Sequence, residues 1–204
     1  MTRVEVDPSV AGPGPTYSWL TSLVVPRPIA WVSTTSASGV DNLAPHSFFT
    51  VSSQDPPVVQ FTSVGRKDSL RNVEETGEFV VNIATEELAL TVNATATDYP
   101  RELGEFDAVG VEREPSARVR PPRVKASPVA LECLCVGFRP FGDTDAASTV
   151  VFGKVVHIAV DDSVLVNGRV RIELLRPVAR LGGPYWSTIG EVLEIRRRRF
   201  VPPT

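Results

Sequence analysis

Ser63, Arg66, Lys67 and Ser69 bring two cations and two hydroxyl groups close together just before a helical pattern. Backbone amides at a helix N-terminus favour an anion, and nearby cations and hydroxyls add charge-assisted hydrogen bonds. A phosphate monoester carries about −1.5 to −2 charges at pH 7. These four residues therefore form a candidate phosphate site. The alternative is a solvated basic turn in which Asp68 caps the following helix.

A second group of polar residues lies in the stretch N-L-A-P-H-S, which we interpret as a loop. Asn42 and Ser47 offer side-chain donors, and the backbone amides of Leu43 and Ala44 offer two more. Such donors suit the polar edge of a flat aromatic ligand. Apolar walls for its rings are available from Trp31, Phe48 and Phe49. The alternative is a β-turn at Asn42 with the aromatic residues in the core.

A third group is the stretch R-L-G-G-P-Y-W near the C-terminus. Its two glycines allow a close backbone approach, and Tyr185 and Trp186 offer stacking surface next to Arg180. A turn with an aromatic anchor is the alternative. The two histidines are far apart in sequence: His46, beside a proline, is expected to be a surface or packing residue, and His157 a core or interface residue. No residue is assigned as catalytic.

Strand-like runs dominate the chain and must position these groups. They are rich in Val, Ile, Phe and Thr and are bounded by Gly, Pro or Asp; they cover Ile29–Thr35, Ser47–Ser52, Val58–Ser63, Glu78–Ile83, Val129–Phe138 and Thr149–Val160. The last run is apolar on both faces, which predicts burial on both sides. Short helices are expected from Asp68 or Ser69 to Gly77 and from Thr85 onward. This pattern predicts a mainly β fold, a barrel or a sandwich, with a few short helices.

Composition excludes several functions. The net charge of −3 argues against general nucleic-acid binding, and no window is apolar enough to span a membrane. The N-terminus lacks the apolar core of a signal peptide, so a cytoplasmic location is expected. Cys133 and Cys135 share one strand face and are expected to be unpaired core residues. With two Cys and two His, no metal site is expected.

We expect three regions along the chain. Residues 1–16, rich in Pro and Gly, form a mobile or extended N-terminal arm. Residues 17–190 form one domain that includes the Pro-rich segment Glu112–Pro128, expected to be an extended crossing or a surface loop and not a helix. Residues 191–204 form a C-terminal tail, in which Arg196–Arg199 is interpreted as a solvated run.

The three groups occur in an order that resembles the flavin reductase-like family of FMN-binding split barrels, which includes flavoredoxin. The resemblance covers roughly Ser22 to Tyr185. It rests on R-P-I-A-W-V-S-T, N-L-A-P-x-S-F-F, K-D-S, G-E-F-V-V-N-I and R-L-G-G-x-Y. It implies a six-stranded split β-barrel and a homodimer, with FMN in a groove near the subunit interface.

The resemblance also implies roles for individual residues. Asn42, Leu43, Ala44 and Ser47 would line the ring and its ribityl chain, with Trp31 and Phe48 as apolar walls. The phosphate would be held by Ser63, Arg66, Lys67 and Ser69. Arg180 and Tyr185 would border the site, from the same chain or its partner.

Members of this family commonly pass a hydride from NAD(P)H to bound flavin, and then electrons to free flavin, oxygen or a partner monooxygenase. The chain has no G-x-G-x-x-G fingerprint, so a nicotinamide would bind transiently without a Rossmann unit. One departure is the loop F-G-D-T-D-A-A-S-T, which lacks the histidine often found there. An NAD(P)H-dependent flavin reductase is therefore expected; the alternative is an FMN-binding electron-transfer protein without catalysis.

Overall fold

The computed structural model describes residues 1–200, and these form a mainly β structure. The helices are α1 (Pro8–Ala11), α2 (Pro13–Leu23), α3 (Asp68–Thr76), α4 (Ala89–Ala94), α5 (Glu105–Val109) and α6 (Ile172–Leu175), with 3₁₀ turns at Glu86–Leu88 and Asp162–Val164. The strands are β1 (Arg27–Pro28), β2 (Ala30–Thr35), β3 (Asp41–His46), β4 (Phe49–Gln54), β5 (Pro57–Val64), β6 (Glu78–Ile83), β7 (Arg113–Glu114), β8 (Arg123–Val124), β9 (Val129–Phe141), β10 (Ser148–Val160), β11 (Leu165–Val166), β12 (Arg169–Val170), β13 (Ala179–Arg180) and β14 (Trp186–Ser187).

One antiparallel sheet of seven strands organises the fold, in the order β3-β2-β6-β9-β10-β5-β4. The sheet curls so that β3 approaches β5: the ring Nδ1 of His46 lies 3.3 Å from the carbonyl oxygen of Thr62. The amide of Thr62 also donates to the carbonyl of Phe48, at 2.9 Å, in the short link between β3 and β4. The two ends of the strand order are therefore brought together, as in a barrel.

The core lies inside this curl. Phe61 and Phe79 meet edge to face with their ring centroids 5.3 Å apart. The inner faces of β2, β6 and β9 and the apolar stripe of α3 pack around them, with Leu70, Val73 and Cys133 all buried. Cys133 and Cys135 are both free thiols on β9, as predicted.

The six predicted strands are all present in the main sheet, but the seventh strand of that sheet, β3, was missed. β3 covers most of the N-L-A-P-H-S stretch that we interpreted as a loop, so that interpretation is wrong. Pro45 argued against a strand, because proline has no N–H to donate to a β-ladder. However, β3 is an edge strand, where proline is tolerated. The prediction that β10 is buried on both faces is also wrong, since Ile158 is 58 % exposed.

Both predicted helices are present, as α3 and as the 3₁₀ turn that leads into α4. The N-terminal region differs from the expected extended arm, because α1 and the start of α2 lie within residues 1–16. Prolines in the first turn of each helix explain this, since there the missing N–H costs nothing. The proposed C-terminal tail has no helix or strand over residues 191–200, and residues 201–204 lie outside the described residues.

A buried carboxylate fastens the Pro-rich segment to the sheet. Glu132, on β9, is fully buried and accepts hydrogen bonds from the amides of Ala117 (2.9 Å) and Arg118 (2.6 Å). It also accepts two from the guanidinium of Arg123, at 2.8 and 2.5 Å. Burial alone would raise the pKa of Glu132, but these donors outweigh it and hold the pKa below its usual value. The segment contains no helix, as predicted, and its two short strands, β7 and β8, pair antiparallel with each other.

We predict that Glu132→Gln lowers the free energy of unfolding by about 3–5 kcal/mol, since Arg123, whose side chain is only 12 % exposed, then keeps only the longer contact with Glu114 at 3.8 Å. Because the folded-state pKa of Glu132 is depressed, its contribution is present above the unfolded-state pKa and is lost as the pH falls through the folded one. Urea unfolding at several pH values measures both effects. Glu112→Gln is the control: its pair with Lys125 is solvent-exposed, so a change within about 1 kcal/mol is expected. Equal losses in the two variants would contradict the assignment.

Candidate functional site

A pocket of about 280 Å³ opens beside β3, between the N-terminus of α3 and the residues that follow α4. This is close to the lower end of the range for small-molecule sites, roughly 300–1,000 Å³. Six residues predicted to bind the cofactor line it: Asn42, Ala44, Ser47, Phe48, Lys67 and Ser69. Sequence reasoning did not assign to the site several other residues that also line it, among them Tyr17, His46, Asp98 and Glu105.

The side chain of Asn42 is the centre of a buried polar network in the pocket wall. Its amide nitrogen donates to Glu105 Oε2, which also accepts the backbone amide of Leu43 at 2.8 Å. Its amide oxygen lies 3.1 Å from the hydroxyl of Ser69. Asn42 and Leu43 were expected to offer these donors to a ligand. In the structure they are used within the protein, so both residues shape the wall.

Glu105 reaches this network because α5 lies unusually close to β3. At Gly104, the residue before α5, an added Cβ would stand only 1.8 Å from the carbonyl oxygen of Asp41. Only glycine allows this approach without a shift of the backbone. The contact joins residues 63 positions apart in the chain, so no local sequence signal could have identified Glu105.

His46 is buried next to the pocket, which corrects the expectation of a surface residue and supports that of a packing residue. Its Nε2 lies 3.2 Å from the hydroxyl of Ser69, and its ring packs against Phe61 with centroids 4.7 Å apart. Because the Thr62 carbonyl near Nδ1 can only accept, we assign the imidazole proton to Nδ1. Burial lowers the pKa of His46 to about 4, an effect to which the nearby charge of Lys67 adds. The imidazole is therefore neutral at pH 7.

The N-terminus of α3 forms the charged side of the pocket. Lys67 is its N-cap residue, and no side chain within residues 1–200 caps the helix. The prediction that Asp68 is the cap is wrong: Asp68 lies inside the first turn, with Oδ1 3.5 Å from the guanidinium of Arg71. The ammonium group of Lys67 pairs with Asp98 at 2.7 Å, in a solvent-exposed contact. First-turn amides and a cation thus face the same pocket.

The other predicted phosphate ligands are engaged elsewhere. Arg66 pairs with Glu74 at 2.8 Å and does not line the pocket. The buried hydroxyl of Ser63 donates to the carbonyl of Gly65 at 2.8 Å. The hydroxyl of Ser69 belongs to the network around Asn42.

The remaining predicted residues lie behind or away from the pocket. Trp31 and Leu43 are fully buried, and the indole of Trp31 donates to the Thr95 hydroxyl at 2.8 Å, which anchors the segment that follows α4. Arg180 lies over the ring of Trp186, 5.2 Å from its centroid, and donates to the carbonyl of Gly183. Tyr185 is 69 % exposed. Neither Arg180 nor Tyr185 lines the pocket of a single chain.

Two features that other kinds of site would require are absent from the described residues. Within the described part of the chain, no three His, Cys, Asp or Glu side chains are grouped as they would be to hold a metal ion. No helix of residues 1–200 has both the length and the apolar character needed to cross a membrane.

The buried state of His46 predicts a loss of stability in acid. The unfolded chain binds its proton near pH 6.5 and the folded chain only near 4, so stability falls as the pH drops below about 6.5. We expect a loss of about 2 kcal/mol from this group between pH 7 and pH 5. Urea unfolding of His46→Gln should show a correspondingly weaker decline, whereas His157→Gln keeps it. An imidazole of His46 that titrates near 6.5 by NMR would refute this prediction.

Comparisons with known proteins show the family to which the chain is similar. The model of the Flavin reductase like domain family matches residues 21–173. An uncharacterized protein of Aquifex aeolicus is 40% identical over 176 residues, which is 83% of this chain and 88% of that protein.

Two solved structures are similar over almost their whole length. Nitrilotriacetate monooxygenase component B from Bacillus cereus has a TM-score of 0.91 at 31% identity and covers 96% of this chain and 100% of its own. The 2-nitrobenzoate 2-nitroreductase of Pseudomonas fluorescens has a TM-score of 0.89 at 30% identity, with 98% and 99% covered. The mainly β split-barrel fold class is confirmed, with seven strands in the main sheet where six were expected. The chain belongs to the flavin reductase-like domain family, whose function is related to flavin.

Proposed function

We propose that the pocket binds FMN and that the protein is an NAD(P)H-dependent flavin reductase. The observation that carries this proposal is the uncapped N-terminus of α3, which lies with Lys67 on the wall of a pocket that also holds the aromatic side chain of Phe48. A helix N-terminus with free amides and a cation attracts a phosphate, and an aromatic wall suits a flat ring system. One ligand that combines the two is a flavin mononucleotide.

The phosphate group would bind at the first turn of α3. Lys67 is available for it because its pair with Asp98 is solvent-exposed, and such pairs contribute only about 0–1 kcal/mol. Arg66 is on the same loop and pairs with Glu74 in a similarly exposed contact, so we retain it as a ligand. We also retain Ser63 and Ser69, which precede and follow Arg66 and Lys67 in the chain.

The ring system would lie along β3 and the residues that follow it. Asn42, Ala44, Ser47 and Phe48 line the pocket there, and the fully buried Leu43 and Trp31 lie behind them. Arg180 and Tyr185 do not reach the pocket of their own chain, so we propose that Arg180 and Tyr185 of the partner subunit border the site. A bound flavin supplies the hydride-accepting and electron-donating chemistry. The protein binds it, orients it and leaves room for the nicotinamide, and His46 stays neutral beside it.

The test is the visible spectrum of the purified protein with FMN, recorded anaerobically before and after NADH and then NADPH. Flavin bands that bleach with one nicotinamide support a reductase and name its donor. Flavin bands that persist with both nicotinamides, yet bleach with dithionite, would support an FMN-binding electron carrier and contradict the reductase. The absence of flavin bands after removal of excess FMN would overturn it.

Lys67→Ala tests the phosphate position. We predict that FMN binding weakens by about 1–3 kcal/mol, the contribution of a charge-assisted hydrogen bond. Isothermal titration with FMN and with riboflavin, which lacks the phosphate, separates this effect from ring binding, and the loss should be confined to FMN. Lys125→Ala, on a lysine paired with Glu112 away from the pocket, is the matched control. Unchanged FMN affinity in Lys67→Ala would remove the phosphate assignment.

We further propose a homodimer. Strands β9 and β10 expose the apolar side chains of Val136 (56 %), Phe138 (41 %) and Ile158 (58 %), which suit contact with another subunit. Sedimentation should give twice the chain mass of 22.1 kDa. Phe138→Asp should shift this toward the monomer, and Val51→Asp, on the exposed side of β4, should not. A monomeric wild-type protein would contradict the proposal.

We propose two candidate electron acceptors from the names of the similar structures. One similar structure is named as a component of a monooxygenase, so a partner monooxygenase is a candidate acceptor. Another is named as a nitroreductase, so nitroaromatic compounds are a second candidate. Steady-state assays with each acceptor, after the nicotinamide donor is known, would distinguish them.

A further inference from the structure

Tyr17 enters the pocket from an element outside the sheet. It is carried by α2, and its ring lies 6.3 Å from the ring of Phe48, centroid to centroid. It lines the pocket although sequence analysis gave it no role. Thr21 is the only buried residue of α2, so apolar packing contributes little to the attachment of this helix to the rest of the protein. Another interaction must therefore fix the position of α2, and with it Tyr17, beside the pocket.

A buried arginine supplies that interaction. Arg27, only 8 % exposed, donates to the carbonyls of Thr21 and Val24 at the C-terminal end of α2, the latter at 2.8 Å. It also donates to the carbonyl of Leu181 at 2.9 Å. None of the ion pairs among residues 1–200 includes it. The negative end of the helix dipole takes the place of a carboxylate partner.

The same arginine reaches the aromatic wall of the pocket. Its guanidinium carbon lies 5.8 Å from the centroid of the Phe48 ring, within the range of a cation–π contact. The same end of α2 is fitted to the loop after β13: a Cβ on Gly182 would stand 2.4 Å from the hydroxyl oxygen of Ser22. Arg27 and Gly182 thus fix α2 against the pocket rim.

We infer that Tyr17 contacts the planar ring system bound in the pocket, and that Arg27 is the positioning residue that holds it there. This inference rests on the proposed binding of FMN. Phe48 and Tyr17 form two walls from different elements, and Arg27 contacts one wall and fixes the helix that carries the other. The arrangement favours ligands with an aromatic ring system over simple sugar phosphates.

Fluorescence of bound FMN tests the contact, because a phenol in contact with an excited flavin quenches its emission. Tyr17→Phe keeps the ring and removes the phenol, so emission from bound FMN should rise severalfold. Tyr17→Ala should raise the Kd for FMN about 3- to 10-fold, the effect of losing one aromatic pair. Trp19→Phe is the matched control, since Trp19 lies on the same helix but does not line the pocket; it should change neither quantity.

Arg27→Met and Gly182→Ala test the positioning role with Tyr17 still present. Both should raise the emission of bound FMN toward the value of Tyr17→Phe, and Gly182→Ala provides this readout if Arg27→Met does not fold. The inference is overturned if Tyr17→Phe leaves the emission and Tyr17→Ala leaves the Kd unchanged. The positioning role is overturned if the folded Arg27 and Gly182 variants emit like wild type. A wild-type protein that retains no FMN overturns the proposed function first, before any variant is compared.

Discussion

The pocket depends on the hydrogen bonds of one buried amide, the side chain of Asn42. β3, which carries it, is an edge strand, so the sheet holds β3 through β2 alone along one side. Its other side is positioned by Glu105 of α5 and Ser69 of α3, both bonded to Asn42. A buried amide without partners costs free energy, so these contacts are obligatory for the fold. The distance between the helices that flank the pocket is thereby fixed.

The N-terminus of α3 shows the opposite arrangement, in which a local stabilising interaction is missing. A Ser, Thr, Asp or Asn at the N-cap would stabilise this helix by about 0.5–2 kcal/mol, and Lys67 cannot do so. Asp68 stands one residue too late and faces Arg71 instead. Such a local departure from good helix chemistry is typical of functional sites, where a ligand provides the missing partner. The end of the helix, and not the basic residues alone, therefore identifies the proposed phosphate position.

Sequence reasoning succeeded where a local pattern decides the structure. Alternation and composition located six strands, and Gly77 marked the end of α3. It failed at β3, where the turn-like residues Asn42 and Pro45 hid an edge strand. It also could not find Glu105 or Tyr17, because contacts between distant segments bring them to the pocket. Six of the residues that the resemblance implied line the pocket, but the resemblance did not supply the contacts among them.

The residues of the recognised motifs divide into two physical groups, and this division changes how their substitutions should be interpreted. Ser47, Phe48 and Lys67 line the pocket and are not buried. Trp31, Asn42 and Ser69 are buried and bonded to other protein groups, although Asn42 and Ser69 line the pocket as well. Removal of a solvent-exposed side chain of the first group, such as Lys67, affects binding and leaves the core intact. Removal of one in the second leaves a buried polar atom unpaired or a cavity, so it lowers stability and binding together. A loss of binding identifies a ligand contact only where the free energy of unfolding is unchanged.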